Sequence, residues 1–309
     1  MEQTYAIGID IGGTNTDIGL VRSDGTCIAR TNLSTQSYND IEAYADDVAD
    51  AIRKLLSDNG ITKIVGVGIG APNGNYYTGT IDYAPNLPFK GRIFLQELIR
   101  SRLSTKVVLT NDANAAAFGE KIYGGARGLT DFILITLGTG VGSGIFVNGQ
   151  MVYGHDGFAG ELGHAILYPD GRACSCGRNG CLEAYTSARG IVQTYKELCQ
   201  ENGKTAPADI TCRDITQRAD DGDELAIETW RKTSQCLGIA LSNAVTFSSP
   251  QAIFLMGGPV KAGHWLLDPL KQYFDEYLLT IFKGKADIRR SELPENDAAV
   301  LGAAALVYE

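Results

Sequence analysis

No apolar run in this sequence reaches the ~18 residues that a membrane-spanning helix needs, and stretches such as 132–147 are interrupted by glycine. A transmembrane segment is therefore not expected. The start, Met1-Glu2-Gln3-Thr4-Tyr5, lacks the basic stretch and following apolar stretch of a secretory signal. Basic residues are outnumbered, 27 Lys plus Arg against 36 Asp plus Glu, which leaves a formal charge of −9. A surface of that sign repels phosphate backbones and anionic headgroups, and Lys106, Lys121 and Arg127 form no run that would offset it. Neither nucleic acid nor membrane is an expected partner. The G-x-x-x-x-G-K-[S/T] phosphate loop is missing too. Neither Gly66-Val67-Gly68-Ile69-Gly70 nor Gly138-Thr139-Gly140-Val141-Gly142 continues as G-x-G-x-x-G into a helix, which argues against a nicotinamide dehydrogenase. Seven cysteines, an odd number, without a secretory signal predict a reducing, cytoplasmic setting in which cysteine serves as thiol or metal ligand.

What is present is an ordinary acidic globular composition, 44% apolar and 20% charged over 309 residues. That length suggests two domains. Tyr5 to Asp10 reads as a strand, Gly12-Gly13-Thr14 as a turn and Ile18 to Val21 as a second strand, before Asp24-Gly25 turns the chain into a third, Cys27 to Leu33. From Asp40 to Asn59 the apolar residues Ile41, Tyr44, Ala45, Val48, Ile52, Leu55 and Leu56 recur at helical spacing, with Asp40 as cap and Gly60 as stop. A strand at Ile64 to Ile69, a loop with Pro72, Pro85 and Pro88, a helix at Ile93 to Leu103 and a strand at Val107 to Thr110 complete the first half. The second half repeats the opening: strand Asp131 to Leu137, a glycine turn, a strand through Ile145-Phe146-Val147, and Asn148-Gly149 leading into Met151-Val152. Helices at Ser187 to Asn202 and Asp223 to Phe247, a strand at Ile253 to Met256, helical stretches on both sides of Leu293 and an Ala-rich helix over Asp297 to Tyr308 follow. Two such halves predict a duplicated α/β fold with a cleft between two lobes.

Glycine turns let backbone N–H groups approach phosphate oxygens, and a neighbouring carboxylate can hold Mg²⁺ through water. Asp10-Ile11-Gly12-Gly13-Thr14 offers both. One such turn in each lobe would clamp a triphosphate from two sides, although either turn alone is equally a tight hairpin. A second cluster is made by His164, Cys174, Cys176 and Cys181, all within eighteen residues. Three soft thiolates and an imidazole suit a closed, tetrahedral, structural zinc, with free core thiols or a disulfide as the plainer readings. Cys27, Cys199, Cys212 and Cys236 show no such grouping.

Together these residues resemble the ROK family (repressor, open reading frame, kinase), and within it the bacterial glucokinases. Asp10-x-Gly12-Gly13-Thr14 resembles the family's first phosphate loop and Leu137-Gly138-Thr139-Gly140-Val141-Gly142 its second. Gly154-His155-x-Gly157-x-Ala159-Gly160-Glu161-x-Gly163-His164 is similar to its sugar motif, and Cys174-x-Cys176-Gly177-x-x-Gly180-Cys181-x-Glu183 to its zinc signature. The resemblance implies the actin-like ATPase (ribonuclease H-like) fold, with a small lobe of 1–112 plus 297–309 and a larger one of 113–296 carrying the zinc loop. It implies ATP, Mg²⁺ near Asp10 and structural Zn²⁺ on His164, Cys174, Cys176 and Cys181. Asp112 is implied as the catalytic base. Asn86, Asn111, Asp112, Glu161, His164 and Glu183 would contact a hexose, with one His164 nitrogen on zinc and the other facing the sugar. Gly257 and Gly258, in Met256-Gly257-Gly258-Pro259, would form the adenosine-side turn. A homodimer or homotetramer is implied as well. Two residues depart from the pattern: Asn15 stands where many relatives carry Lys, and Pro259 replaces a third glycine.

The expected activity is transfer of the ATP γ-phosphoryl group to the 6-hydroxyl of glucose, with N-acetylmannosamine, N-acetylglucosamine, allose and fructose as alternative sugars and polyphosphate as an alternative donor. A sugar-responsive repressor of the same family would need a helix-turn-helix, for which four residues before Tyr5 leave no room. A non-catalytic zinc module would have no use for Asp112 and two phosphate loops. Read without the resemblance, Asp112 is a helix cap, because Ala113 to Phe118 looks helical.

Overall fold

The computed structural model describes residues 3–308. Met1, Glu2 and Glu309, which the expected small lobe includes, lie outside them. The first half opens with β1 (Tyr5–Ile11), β2 (Asn15–Arg22) and β3 (Cys27–Ser34), then α1 (Ile41–Asp58) and β4 (Val67–Ala71). Asp40 caps α1, its carboxylate accepting from Glu42 N–H (3.2 Å) and Ala43 N–H (3.3 Å). The regular β4 ladder starts at Val67, three residues later than expected. Val65 N–H nevertheless already donates to Tyr5 O (2.7 Å). The proline-bearing loop contains a small sheet the hydrophobic pattern did not predict, made of β5 (Gly74–Asn75), β6 (Thr80–Asp82) and β7 (Arg92–Ile93). α2 (Leu95–Leu103), β8 (Val107–Asn111) and α3 (Asp112–Ile122) follow.

The second half comprises β9 (Phe132–Leu137), β10 (Val141–Val147), β11 (Gln150–Met151), α4 (Glu183–Thr186), α5 (Ala188–Glu201), α6 (Cys212–Asp220), α7 (Glu224–Ser248), β12 (Ala252–Met256), α8 (His264–Tyr277), β13 (Asp287–Arg290) and α9 (Ala298–Ala305). Two elements here differ from expectation. α6 buries only Ile215 and Ala219, too thin an apolar stripe to stand out. Asp287–Arg290, expected as helix, is a strand paired in parallel with β12, and Ile288 is its one buried side chain.

The two five-stranded sheets have the same plan, in the orders β3-β2-β1-β4-β8 and β11-β10-β9-β12-β13. In each, three antiparallel strands are extended by two parallel ones. α3 and α9 join the sheets. α9 lies on β1, β2 and β4, close enough that a Cβ on Gly8 or Gly68 would come within 2.0 and 1.8 Å of the Val300 and Ala303 carbonyl oxygens. α3 packs on α9 and reaches β9 and β10 of the other sheet. Each sheet buries its own aliphatic core, around Ile7, Ile69 and Leu109 in one and Ile135, Leu237 and Leu255 in the other. Among the described residues no helix is long and apolar enough to cross a membrane.

Candidate active site

Parallel strands end where ligands are usually held, because their carboxyl ends leave backbone groups and loop side chains around a crevice. In the first sheet the register sets Asp10 of β1 beside Gly70 of β4 and Gly70 beside Thr110 of β8. Asn111 and Asp112 follow directly. Gly70 leaves the space between the two acids open, since a Cβ there would lie 3.5 Å from Asp112 Cα and 4.0 Å from Asp10 Oδ1. Burial, and after it the charges of Asp112 and Asp17, push the Asp10 carboxyl up to about 7. Burial also raises Asp112, whose side chain keeps solvent on one side while protein rings the rest.

The helix cap is Asn111, not Asp112. Asn111 Oδ1 accepts from Ala113 N–H (2.8 Å) and Asn114 N–H (3.4 Å), while Asp112 opens α3 and holds Ala113 N–H with its own Oδ1 (2.8 Å). That leaves the Asn111 amide NH₂ and Asp112 Oδ2 as the ends available to a ligand. Asn111 and Asn114 share a pocket with Gly142 and Ser143 of β10 and with Gly160 and Glu161 from the loop after β11. Asn114 and Ser143 were not anticipated. Asn114 Oδ1 is buried there without a hydrogen-bond partner, and its only sequence signal is its helical offset of three from Asn111. The loop after β11 is tied down on both sides: Ser143 Oγ donates to Gly160 O, and Asn75 Nδ2 to Asp156 O (2.6 Å).

The first glycine turn is closed by Gly12 N–H donating to Asn15 O (2.8 Å), with Thr14 and Asn15 exposed. Asn86 lies against it, its carbonyl oxygen 2.8 Å from where a Gly13 Cβ would stand. In the second turn Gly138 N–H donates to Gly140 O (2.9 Å). Gly257 begins the turn after β12, and Gly258 and Pro259 open a short 3₁₀ helix there (Gly258–Ala262). Gly258 and Pro259, with Arg189, Ile210, Thr211 and Trp230, line a cavity of about 970 Å³. Arg189 and Ile210 escaped sequence reading because nothing in their local pattern marks them.

His164, Cys174, Cys176 and Cys181 come together with all four ligand atoms within 4.8 Å of one another. Cys174 Sγ is 3.7 Å from His164 Nδ1 and Cys176 Sγ is 3.6 Å from Cys181 Sγ. Zinc–sulfur bonds of about 2.3 Å give a tetrahedron with edges of about 3.8 Å. The cluster therefore fits that ion. His164 Nε2 points the other way, 4.0 Å from Glu161 Oε2, too far for a hydrogen bond. Burial raises the Glu161 carboxyl, against the effect of His164, and Asp112 and Glu183 raise it further. Glu183 is buried and turned towards the second glycine turn: its Oε2 accepts from Val141 N–H (3.0 Å) and its Oε1 from Ser175 Oγ (3.0 Å).

A sequence profile of the ROK family matches residues 6–309. The chain belongs to the ROK family. The glucokinase of Halalkalibacterium halodurans is 34% identical over 320 aligned positions, spanning 100% of this chain and 96% of that protein. The glucokinase of Thermotoga maritima is 32% identical, spanning 100% and 99%. A ROK glucokinase of Streptomyces griseus, solved with glucose and AMPPNP, superposes with a TM-score of 0.81 at 30% identity over 98% of both chains. Two sheets of one plan, joined by α3 and α9, are thus the ROK fold.

Proposed function

We propose that this ROK protein is an ATP-dependent hexose kinase that phosphorylates the 6-hydroxyl of glucose. The observation that carries the reading is the placement of Asp10, Asn111 and Asp112 at the carboxyl edge of one sheet, where Asn111 borders a pocket whose other wall is Gly142, Ser143 and Glu161. Full-length similarity to glucokinases supports the choice of sugar.

Phosphoryl transfer is largely positioning and charge stabilisation. The two lobes, 1–112 with 297–309 and 113–296, close on sugar and nucleotide. Asn86, Asn111, Glu161, His164 and Glu183 form the wall that orients the ring. Asp112 Oδ2 takes the proton of the 6-hydroxyl as that oxygen bonds to the γ-phosphorus and the bond to the ADP oxygen breaks. A carboxyl raised by burial is a stronger base than an exposed one, which suits this proton transfer near neutrality. The turns Gly12-Gly13-Thr14 and Gly138-Thr139-Gly140 present N–H groups to the phosphates, and the cavity beside Gly257, Gly258 and Pro259 takes the adenosine. Asp10 would hold Mg²⁺, whose charge would offset that developing on the phosphates. His164 Nδ1, Cys174, Cys176 and Cys181 would hold Zn²⁺, which would fix the loop without an open position for chemistry. The family resemblance also supports a homodimer or homotetramer working in the cytoplasm.

A coupled ADP-release assay tests this reading. Glucose with ATP should give the largest kcat/KM among glucose, N-acetylmannosamine, N-acetylglucosamine, allose and fructose, and among ATP and polyphosphate as donors. A large preference for an N-acetyl sugar or for polyphosphate would overturn the assignment.

A further inference from the structure

The residue that follows the last cysteine by two, Glu183, does more in this fold than its place beside the sugar wall requires. Its carboxylate spans two loops. Oε2 accepts the Val141 N–H at 3.0 Å, at the exit of the second glycine turn, and Oε1 accepts the Ser175 hydroxyl at 3.0 Å, inside the cysteine loop. Cys174 Sγ lies 3.7 Å from the same Oε1. Glu183 is 9% exposed, so these partners replace the water that a buried carboxylate would otherwise lack.

The turn is shaped around this carboxylate. A Cβ on Gly140 would lie 2.7 Å from Glu183 Oε2, so the oxygen occupies the space that any other residue at 140 would need. Two further bonds come from the next few residues of the same segment. Ala188 N–H donates to Gly138 O (2.8 Å) and Arg189 Nε to Thr139 O (3.3 Å). Behind them, Arg172 of the cysteine loop donates to Ala184 O (3.1 Å) and Gly190 O (3.1 Å), which fastens the segment from its other side. Every one of these braces comes from residues 172–190, the stretch that carries Cys174, Cys176 and Cys181.

We propose that Glu183 is a positioning residue for the second phosphate-binding turn, and that through it the cysteine loop sets affinity for the nucleotide as well as for the sugar. This rests on the reading that the 138–140 turn binds phosphate. The acceptor, more than the charge, is what the Val141 N–H needs, so the conservative amide should serve where alanine cannot.

The test is calorimetric titration of AMPPNP with Mg²⁺ and, separately, of glucose, into wild type, Glu183→Ala, Glu183→Gln and Ser175→Ala. Glu183→Ala should weaken AMPPNP binding about tenfold, the effect of losing one buried charge-assisted hydrogen bond, and speed amide hydrogen exchange at Val141. Glu183→Gln should recover most of that loss. Ser175→Ala, which removes only the partner in the cysteine loop and spares the turn, should weaken AMPPNP by a smaller factor. AMPPNP binding to Glu183→Ala or to Ser175→Ala as tight as to wild type, with only glucose affinity reduced, would overturn the proposal. So would a Glu183→Gln no better than Glu183→Ala. Wild type that binds no AMPPNP would instead sink the kinase reading, a result distinct from these.

Discussion

The two glycine turns occupy equivalent places in the two sheets, between β1 and β2 and between β9 and β10, yet they are held differently. Both are closed from within, Gly12 N–H to Asn15 O in the first and Gly138 N–H to Gly140 O in the second, and the first has Asn86 as its outside neighbour. The second is braced by Glu183, Ala188 and Arg189, which belong to a segment anchored by the cysteine loop. Duplication of a fold thus preserves backbone position more readily than it preserves support. A turn braced by side chains of another segment can be tuned through that segment.

The largest effect should come from removing the carboxylate proposed as the base. Asp112→Asn keeps size and one acceptor but removes the base, so kcat should fall at least a hundredfold, within the ~10²–10⁴ typical of a lost general base. Because Asn111 is the cap, the melting temperature should barely move and calorimetry should still detect glucose binding. A variant retaining more than a tenth of wild-type kcat would place the base elsewhere.

Next comes the asymmetry itself. Elemental analysis should find one zinc per chain in wild type and none in Cys176→Ala, which should also lose glucose affinity and amide protection over 138–142, while protection over 12–15 persists. Equal loss at both turns would show that the support is shared. Gly140→Ala pushes a methyl against the Glu183 carboxylate and should cost about tenfold in AMPPNP affinity.

Asp10, beside the first turn, allows a pH test. A carboxyl raised to about 7 makes the folded state hold a proton that the unfolded chain has released. Its favourable contribution is full below the unfolded value near 4 and is lost as pH rises through about 7. Wild type should therefore lose stability relative to Asp10→Asn over that window in chemical denaturation, and parallel curves would refute the burial argument.

Legibility followed length and periodicity. α1, with Asp40 as its cap, and the β1–β2 and β9–β10 hairpins stood out because their patterns run for six or more residues. β5, β6 and β7 did not, since strands of two or three residues carry no alternation to read. For α6 a usable signal was present in the capping box of Thr211 and Asp214, on a helix whose apolar face is only two residues wide. The cysteine cluster was legible from spacing alone because its four ligands lie close in sequence. The bond from Val141 to Glu183 crosses 42 positions, and no local pattern encodes it.

The close seat of α9 on Gly8 and Gly68 bears on how the chain is made. Ala6 and Val21 of the first sheet are covered by Leu301 and Ala304, which leave the ribosome long after them. Until then Ala6 and Val21 have no lid, and the sheet waits through synthesis of the whole second sheet as a sticky, unfinished surface. Contacts of such sequence separation slow folding as well. Chaperone dependence should accordingly concentrate in the N-terminal half, although that half is made first.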